Sequence, residues 1–357
     1  MKSARIVALA LLVFAASCAG NTDKPAEPEK AAPAPKPDAG PLGEMAVPAN
    51  NQMTPAKIEL GKKLFFDTRL SKSGKMSCET CHLPDKGWTD AKVFSTRDDG
   101  MVNTRHTPTL INVGYYKQWY WDGRAATLEG QVAAAWRGQM GADEKAQPMI
   151  VETINGIAGY KNEFQSVFNG PATAENIPQA LATFVRTLKS ENSPWDKYEK
   201  GDKAAVSEDA IKGFTVFSDT DKANCTLCHL PPLYTDTLFH NVGVGFDKPM
   251  PDLGRGKTLA DAATKAGTTD PTAETLQGAF KTPTLRSVTE TGPFFHDGRA
   301  ATLDAAIDFM LKGGIPNKNL DEKLKPKMLS KEERGQLMAF LRSLTPEAQP
   351  FEKPKVP

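Results

Sequence analysis

Histidine and cysteine are scarce in this chain, five of each in 357 residues, so any chemistry they carry is confined to a few positions. Five cysteines are too few for a disulfide framework at this length. Neither charge dominates, with 44 Lys and Arg against 43 Asp and Glu, and that balance leaves no overall electrostatic footprint for nucleic acid. Strand-like alternation is almost missing, which argues against a sandwich or barrel. Long apolar runs are missing too. The stretch from Ile6 to Ala16, behind Lys2 and Arg5, is too short to span a bilayer and reads as the centre of an export signal.

The segment Ala15-Ala-Ser-Cys18 has the small residues of a bacterial lipobox, with alanine where that pattern usually has leucine. Two readings stand: lipidation at Cys18, or ordinary cleavage nearby. Lipidation would settle the odd cysteine, because the other four form two pairs, Cys78 with Cys81 and Cys225 with Cys228. Residues 19–48 are rich in Pro, Ala, Lys and Glu and poor in large apolar side chains; they cannot bury enough surface to fold and are expected to form an extended tether.

Beyond residue 48 the chain repeats itself. Gly61-Lys-Lys-Leu-Phe-Phe-Asp-Thr68 answers Gly213-Phe-Thr-Val-Phe-Ser-Asp-Thr220, and Cys78-x-x-Cys81-His82 answers Cys225-x-x-Cys228-His229. Thr107-Pro-Thr-Leu110 answers Thr282-Pro-Thr-Leu285, and Asp122-Gly-Arg-Ala-Ala-Thr-Leu128 is identical to Asp297-Gly-Arg-Ala-Ala-Thr-Leu303. The last two landmarks keep one separation in both halves, so an internal duplication is expected, with related domains over 49–200 and 201–350. The fold class is all-α with long loops. Thr54-Pro55 and Ser207 are helix starts, and further helices are predicted over 177–190 and 330–344.

In CxxCH two thiols can add to the vinyl groups of a haem, and the next residue presents an imidazole to the iron. Two copies point to two covalently bound c-type haems, on Cys78, Cys81 and His82 and on Cys225, Cys228 and His229. The alternatives are a redox CxxC, which lacks its βαβ setting here, and a zinc site, which leaves the repeated histidine unexplained.

Two CxxCH halves, each followed by TPTL and DGR, resemble the bacterial dihaem cytochrome c peroxidases and their relative, the enzyme that matures methylamine dehydrogenase. The resemblance covers residues 54–345. It implies two cytochrome c-like domains, with hydrogen peroxide handled at the N-terminal haem and electrons entering at the C-terminal one from a small carrier, a cytochrome c or a cupredoxin. It also implies Met310 as the second haem's other iron ligand, where the maturation enzyme has tyrosine; the bland reading of Met310 is core filler beside Leu303 and Ile307. Trp121 takes the position of the inter-haem tryptophan, against simple packing. Gln131 falls on the family's distal glutamine. The distal glutamate is replaced by Gln139, two residues early, and an amide cannot shuttle a proton, which leaves Asp143, Glu144 or a water to substitute. The histidine that closes the first haem in some members is here Asp98. His106 stands where the family has a calcium-binding asparagine, with Thr291 and Pro293 at the positions that lend carbonyls; it is a structural histidine or a haem ligand. His296 and His240 read as structural. Arg124 and Arg299 are propionate binders or surface ion pairs.

The expected function is therefore a peroxidase of the periplasm, anchored to the outer membrane through lipid at Cys18, with no nucleic-acid partner and with room in the resemblance for a homodimer. Two alternatives stand beside it: a dihaem enzyme that oxidises side chains of a partner protein, and a dihaem electron carrier without peroxide chemistry.

Overall fold

The computed structural model describes residues 42–348 and 350–357. The expected export signal, Cys18 and the tether as far as residue 41 lie outside the described residues. The tether's last seven residues lie inside them, and Leu42 is buried.

Helix α1 (Pro55–Phe65) begins where the Thr54 hydroxyl accepts a hydrogen bond from the Lys57 amide at 3.3 Å, with Pro55 at the first helical position. Helix α2 (Leu128–Gln139) starts on Thr127, and α3 (Gln147–Asn155), α4 (Ala158–Phe168), α5 (Asn176–Val185) and α6 (Pro194–Glu199) follow. Helix α7 (Glu208–Ser218) starts on Ser207, as its sequence predicts. It precedes α8 (Gly254–Lys265), α9 (Leu303–Leu311) and α10 (Lys331–Ser343), the last held by a reciprocal cap between Ser330 and Glu333. Among the described residues, strands are limited to β1 (Phe239–His240) and β2 (Phe280–Lys281), paired antiparallel.

The helix expected over 177–190 stops at Val185. Asn112, in a left-handed conformation at φ 60°, captures the chain beyond it: its amide donates to the Leu188 carbonyl at 2.9 Å and its side chain accepts from the Ser190 amide at 3.0 Å. A partner that far away in sequence leaves no periodic signal in the segment itself.

Two hydrophobic cores form. The first gathers Leu60, Leu64, Trp136, Tyr160 and Phe164, and its chain stretch ends at Leu188; the second starts at Trp195 and gathers Phe217, Tyr234, Phe340 and Leu341. Each is built on one tight helix crossing. Helix α1 meets α5 at Gly61, where a Cβ would fall 2.0 Å from the Ala180 carbonyl oxygen. Helix α7 meets α10 at Gly213, where a Cβ would fall 1.9 Å from that of Gln336. The glycines are required here because backbone touches backbone, and both belong to the repeated landmark.

Gly213→Ala is expected to lower the stability of the haem-loaded protein by about 1–3 kcal/mol through overpacking. Gly138→Ala, on α2 with nothing within 4 Å of the new methyl, should be neutral or raise stability by about 0.5–1 kcal/mol. Thermal unfolding of the two variants side by side checks the contrast.

Candidate functional site

Cys78–Thr80 and Cys225–Leu227 each wind into a single 3-10 turn. The His82 amide donates to the Cys78 carbonyl at 3.1 Å and the His229 amide to the Cys225 carbonyl at 2.9 Å, so each imidazole is set at a fixed place after its thiols. The rings are then oriented in the same way. Nδ1 of His82 lies 2.8 Å from the Trp88 carbonyl, and Nδ1 of His229 lies 2.9 Å from the Tyr234 carbonyl. A carbonyl only accepts, so Nδ1 carries the proton in both rings and Nε2 keeps its lone pair. Trp88 and Tyr234 themselves adopt left-handed backbones, φ 59° and 53°, a conformation disfavoured for bulky residues. Both halves accept that cost to aim a carbonyl at a histidine.

Burial pushes the pKa of His82 down to about 4 and lowers that of His229 as well, which keeps both rings in the neutral form that binds a metal. Burial, and then the neighbouring cysteine, pushes the Cys78 and Cys225 thiols up to about 12. A redox CxxC needs the opposite, a stabilised thiolate. The four cysteines are unpaired, and among the described residues they do not converge into a four-sulfur zinc cluster.

A cavity of about 730 Å³ is lined by Cys78, Cys81, His82, Gln131 and Gln139. A second, of about 330 Å³, is lined by Cys225, Cys228, His229, Ile307 and Met310. Two thiols, one imidazole nitrogen with a bare lone pair and a largely apolar hollow recur in each half, and this set fits a covalently held porphyrin. Met310 lines the second cavity alongside Leu303 and Ile307, so the ligand reading and the packing reading put it on one helix face.

Trp121, Tyr120, His106 and His296 line both cavities. The indole Nε1 of Trp121 donates to the His106 carbonyl at 2.9 Å, the His106 amide donates to the His296 carbonyl at 2.7 Å, and the Lys281 amide donates to the Trp121 carbonyl at 2.8 Å. These bonds tie the two halves together at the tryptophan. Arg105 adds charge to the joint. It bonds Asp122 and Asp252, both at 2.6 Å; burial alone would raise these carboxyls, but the guanidinium holds both below the usual range.

Gln131 is half-buried on α2. Gln139, at the end of that helix, accepts a hydrogen bond from the Asn103 amide group at 2.8 Å. Asp98 is held by Ser73, whose amide donates to it at 3.1 Å, and it does not line the first cavity. Asp143 and Glu144, the carboxylates nearest in sequence to Gln139, do not reach the first cavity. Both are exposed, and Asp143 accepts from the Ala146 amide at 2.9 Å just ahead of α3. A carboxylate next to a helix start is captured by free amides.

His106 donates from Nδ1 to the Lys92 carbonyl at 2.7 Å. Its Nε2 is buried without a hydrogen-bond partner, and burial lowers the ring's pKa, with the Lys92 and Thr291 carbonyls acting the other way. Thr291 and Pro293 line the second cavity. An imidazole lone pair in place of an amide oxygen is a poor fit to calcium, which takes oxygen ligands. His240 is clamped by Asp236 at 2.8 Å and Asp321 at 2.5 Å. Arg124 pairs with Asp122 at 2.9 Å and stacks over Tyr120 at 3.5 Å; Arg299 pairs with Asp247 at 2.8 Å and Asp297 at 3.1 Å. Tyr120, Arg105 and Lys281 were not legible as site residues. The Trp-Tyr-Trp and Lys-Thr-Pro contexts were their only signal.

A family model described as di-haem cytochrome c peroxidase matches residues 55–204. Methylamine utilization protein MauG of Methylorubrum extorquens is 38% identical over 316 residues, which is 87% of this chain and 84% of that protein. Cytochrome-c peroxidase IdrP1 of Denitromonas iodatirespirans is 34% identical over 90% of each chain. A crystal structure of a MauG-like protein associated with microbial copper homeostasis matches with a TM-score of 0.76 at 28% identity, covering 89% of this chain and 96% of the other.

Arg105→Met should cost about 1–3 kcal/mol, between the exposed and buried regimes, because Asp122 and Asp252 lose a shared partner. The depressed carboxyls stabilise the fold above their ordinary titration range and lose that contribution as pH falls through it. Denaturant unfolding should therefore separate variant from parent at pH 7, with the gap shrinking below about pH 4.

Proposed function

From a chain that belongs to the di-haem cytochrome c peroxidase family, we propose an exported peroxidase that reduces hydrogen peroxide to water with electrons from a small donor protein. The observation that carries the reading is the asymmetry of two otherwise matched sites. Each CxxCH histidine has its Nδ1 taken by a carbonyl, which leaves Nε2 as the ligating nitrogen, but Met310 lines only the second cavity, the one that His229 lines and that His82 also borders. The haem, when bound, supplies the redox chemistry.

Around it the chain's own residues divide the work. His82 and His229 would each hold an iron, and Met310 would be the second protein ligand at the His229 site, where a thioether would raise the potential and suit that site to accept electrons. The first site stays open to a small oxidant, a reading supported by Asp98 being tied to Ser73 instead of facing the cavity. Gln131 and Gln139 orient peroxide or water there by hydrogen bonds. Neither amide exchanges a proton at neutral pH, so the proton passes through water. Trp121, on the wall common to both cavities and anchored through His106, relays electrons from the second site to the first.

The donor set at His106, Thr291 and Pro293 does not favour calcium, and no step depends on it. Leader residues 1–18 support export, and Cys18 a lipid anchor in the outer membrane facing the periplasm. No helix among the described residues is long and apolar enough to cross a membrane. The likeness to MauG proteins keeps a second reading, oxidation of side chains in a partner protein. Met310 favours the first, since the resemblance puts tyrosine there in the maturation enzyme.

Steady-state consumption of peroxide with a reduced small cytochrome as donor tests the proposal. Sustained turnover is expected, and Trp121→Phe should lower kcat at least about tenfold, roughly 1.4 kcal/mol in the barrier, with both haem spectra intact. Turnover confined to a few equivalents would favour the partner-modifying enzyme, and haems inert to peroxide would favour a simple carrier.

A further inference from the structure

Lys281 is a buried charged residue with no role in the peroxidase reading. It ends β2, is 8% exposed, and lines the second cavity with His229 and Met310. Its ammonium donates to the Gln118 carbonyl at 3.1 Å and sits 4.1 Å from the centre of the buried Tyr116 ring. Among the described residues it forms no ion pair. Asp122, the carboxylate that attracts it from further off, is already shared by Arg105 and Arg124.

A buried cation with one carbonyl and one ring for company is a poor end state, because its lost hydration is not made good unless an anion replaces it. Burial drags its pKa down to about 7. Arg124 and Arg299, which the sequence leaves open as propionate binders or ion pairs, are paired with aspartates. The lining of the second cavity also carries Asp321, which is committed to His240, and Lys323, Lys325 and Lys327; of its four lysines Lys281 is the buried one, and a c-type haem would bring two propionate carboxylates to it.

We infer that Lys281 is the counter-cation of a propionate on the haem attached at Cys225 and Cys228. The inference rests on the two-haem reading. It adds that this pairing holds the haem's potential up, since a nearby positive charge favours the reduced form. Because the Lys281 amide also donates to the Trp121 carbonyl, one residue positions both the second haem and the relay.

The test is redox titration of the haem-loaded protein and of Lys281→Met and Lys281→Arg, with the covalent haem count measured on each. Two haems per chain are expected in all three. Lys281→Met should reduce the equilibrium constant for reduction of the haem at His229 at least tenfold, about 59 mV for a one-electron couple, and Lys281→Arg should recover most of it. Unchanged potentials with two haems bound overturn the pairing, as does a shift confined to the haem at His82. A haem count below two in the parent overturns the two-haem reading instead. If Lys281→Met does not fold, a crystal structure of the loaded parent decides: Nζ within about 4 Å of a propionate oxygen upholds the ion pair, and a longer separation removes it.

Discussion

Everything in this structure depends on two main-chain carbonyls, those of Trp88 and Tyr234, which take the Nδ1 protons of His82 and His229. That single hydrogen bond selects the tautomer, fixes the ring plane and leaves Nε2 as the outward-facing donor. It also explains two otherwise unfavourable features. Both carbonyls belong to bulky aromatic residues in left-handed conformations, and both histidines are buried deeply enough to be held neutral. Thiols pushed well above neutrality by burial complete a setting built for covalent attachment, not for thiol exchange.

The same local solution appears twice, and function arises from how the copies differ. Each half closes its core by pressing a glycine on an early helix, Gly61 or Gly213, against the backbone of a later one. The divergence lies in the cavities. One receives Met310 from α9; the other receives the amide of Gln139 from α2, while Gln131 borders both. Between them, Trp121, His106, His296 and Lys281 are joined by backbone hydrogen bonds that cross from one half to the other. Arg105 reinforces that joint with two carboxylates drawn from either side. An indole anchored to main-chain partners is stiff, and stiffness suits the relay role proposed for Trp121.

Much of this was legible in the sequence wherever the signal was local. The CxxCH pairs, the proline-led start of α1, the Ser207 cap of α7 and the Ser330 cap of α10 each depend on residues within a turn of one another. What stayed hidden depends on distant partners. The early end of α5 is set by Asn112, and the role of Asp98 by Ser73. Asp143, a candidate proton donor on paper, is consumed by the start of α3. Lys281 looked like one lysine among many until the fold buried it beside Tyr116 with no carboxylate in reach. Arg124 and Arg299 could be read either as haem partners or as ion pairs, and the aspartates they pair with, Asp122, Asp247 and Asp297, carry no local signal of that pairing beyond the DGR turn.

The central claim is that the two histidines serve unlike irons, one open and one closed by a thioether. The most direct measurement is the low-temperature EPR spectrum of the fully oxidised, haem-loaded protein. The account predicts one high-spin signal from the site at His82 and one low-spin signal from the site at His229, with Met310→Ala converting the second and leaving the first unchanged. Two low-spin signals in the parent, or a low-spin signal that survives Met310→Ala, would contradict it.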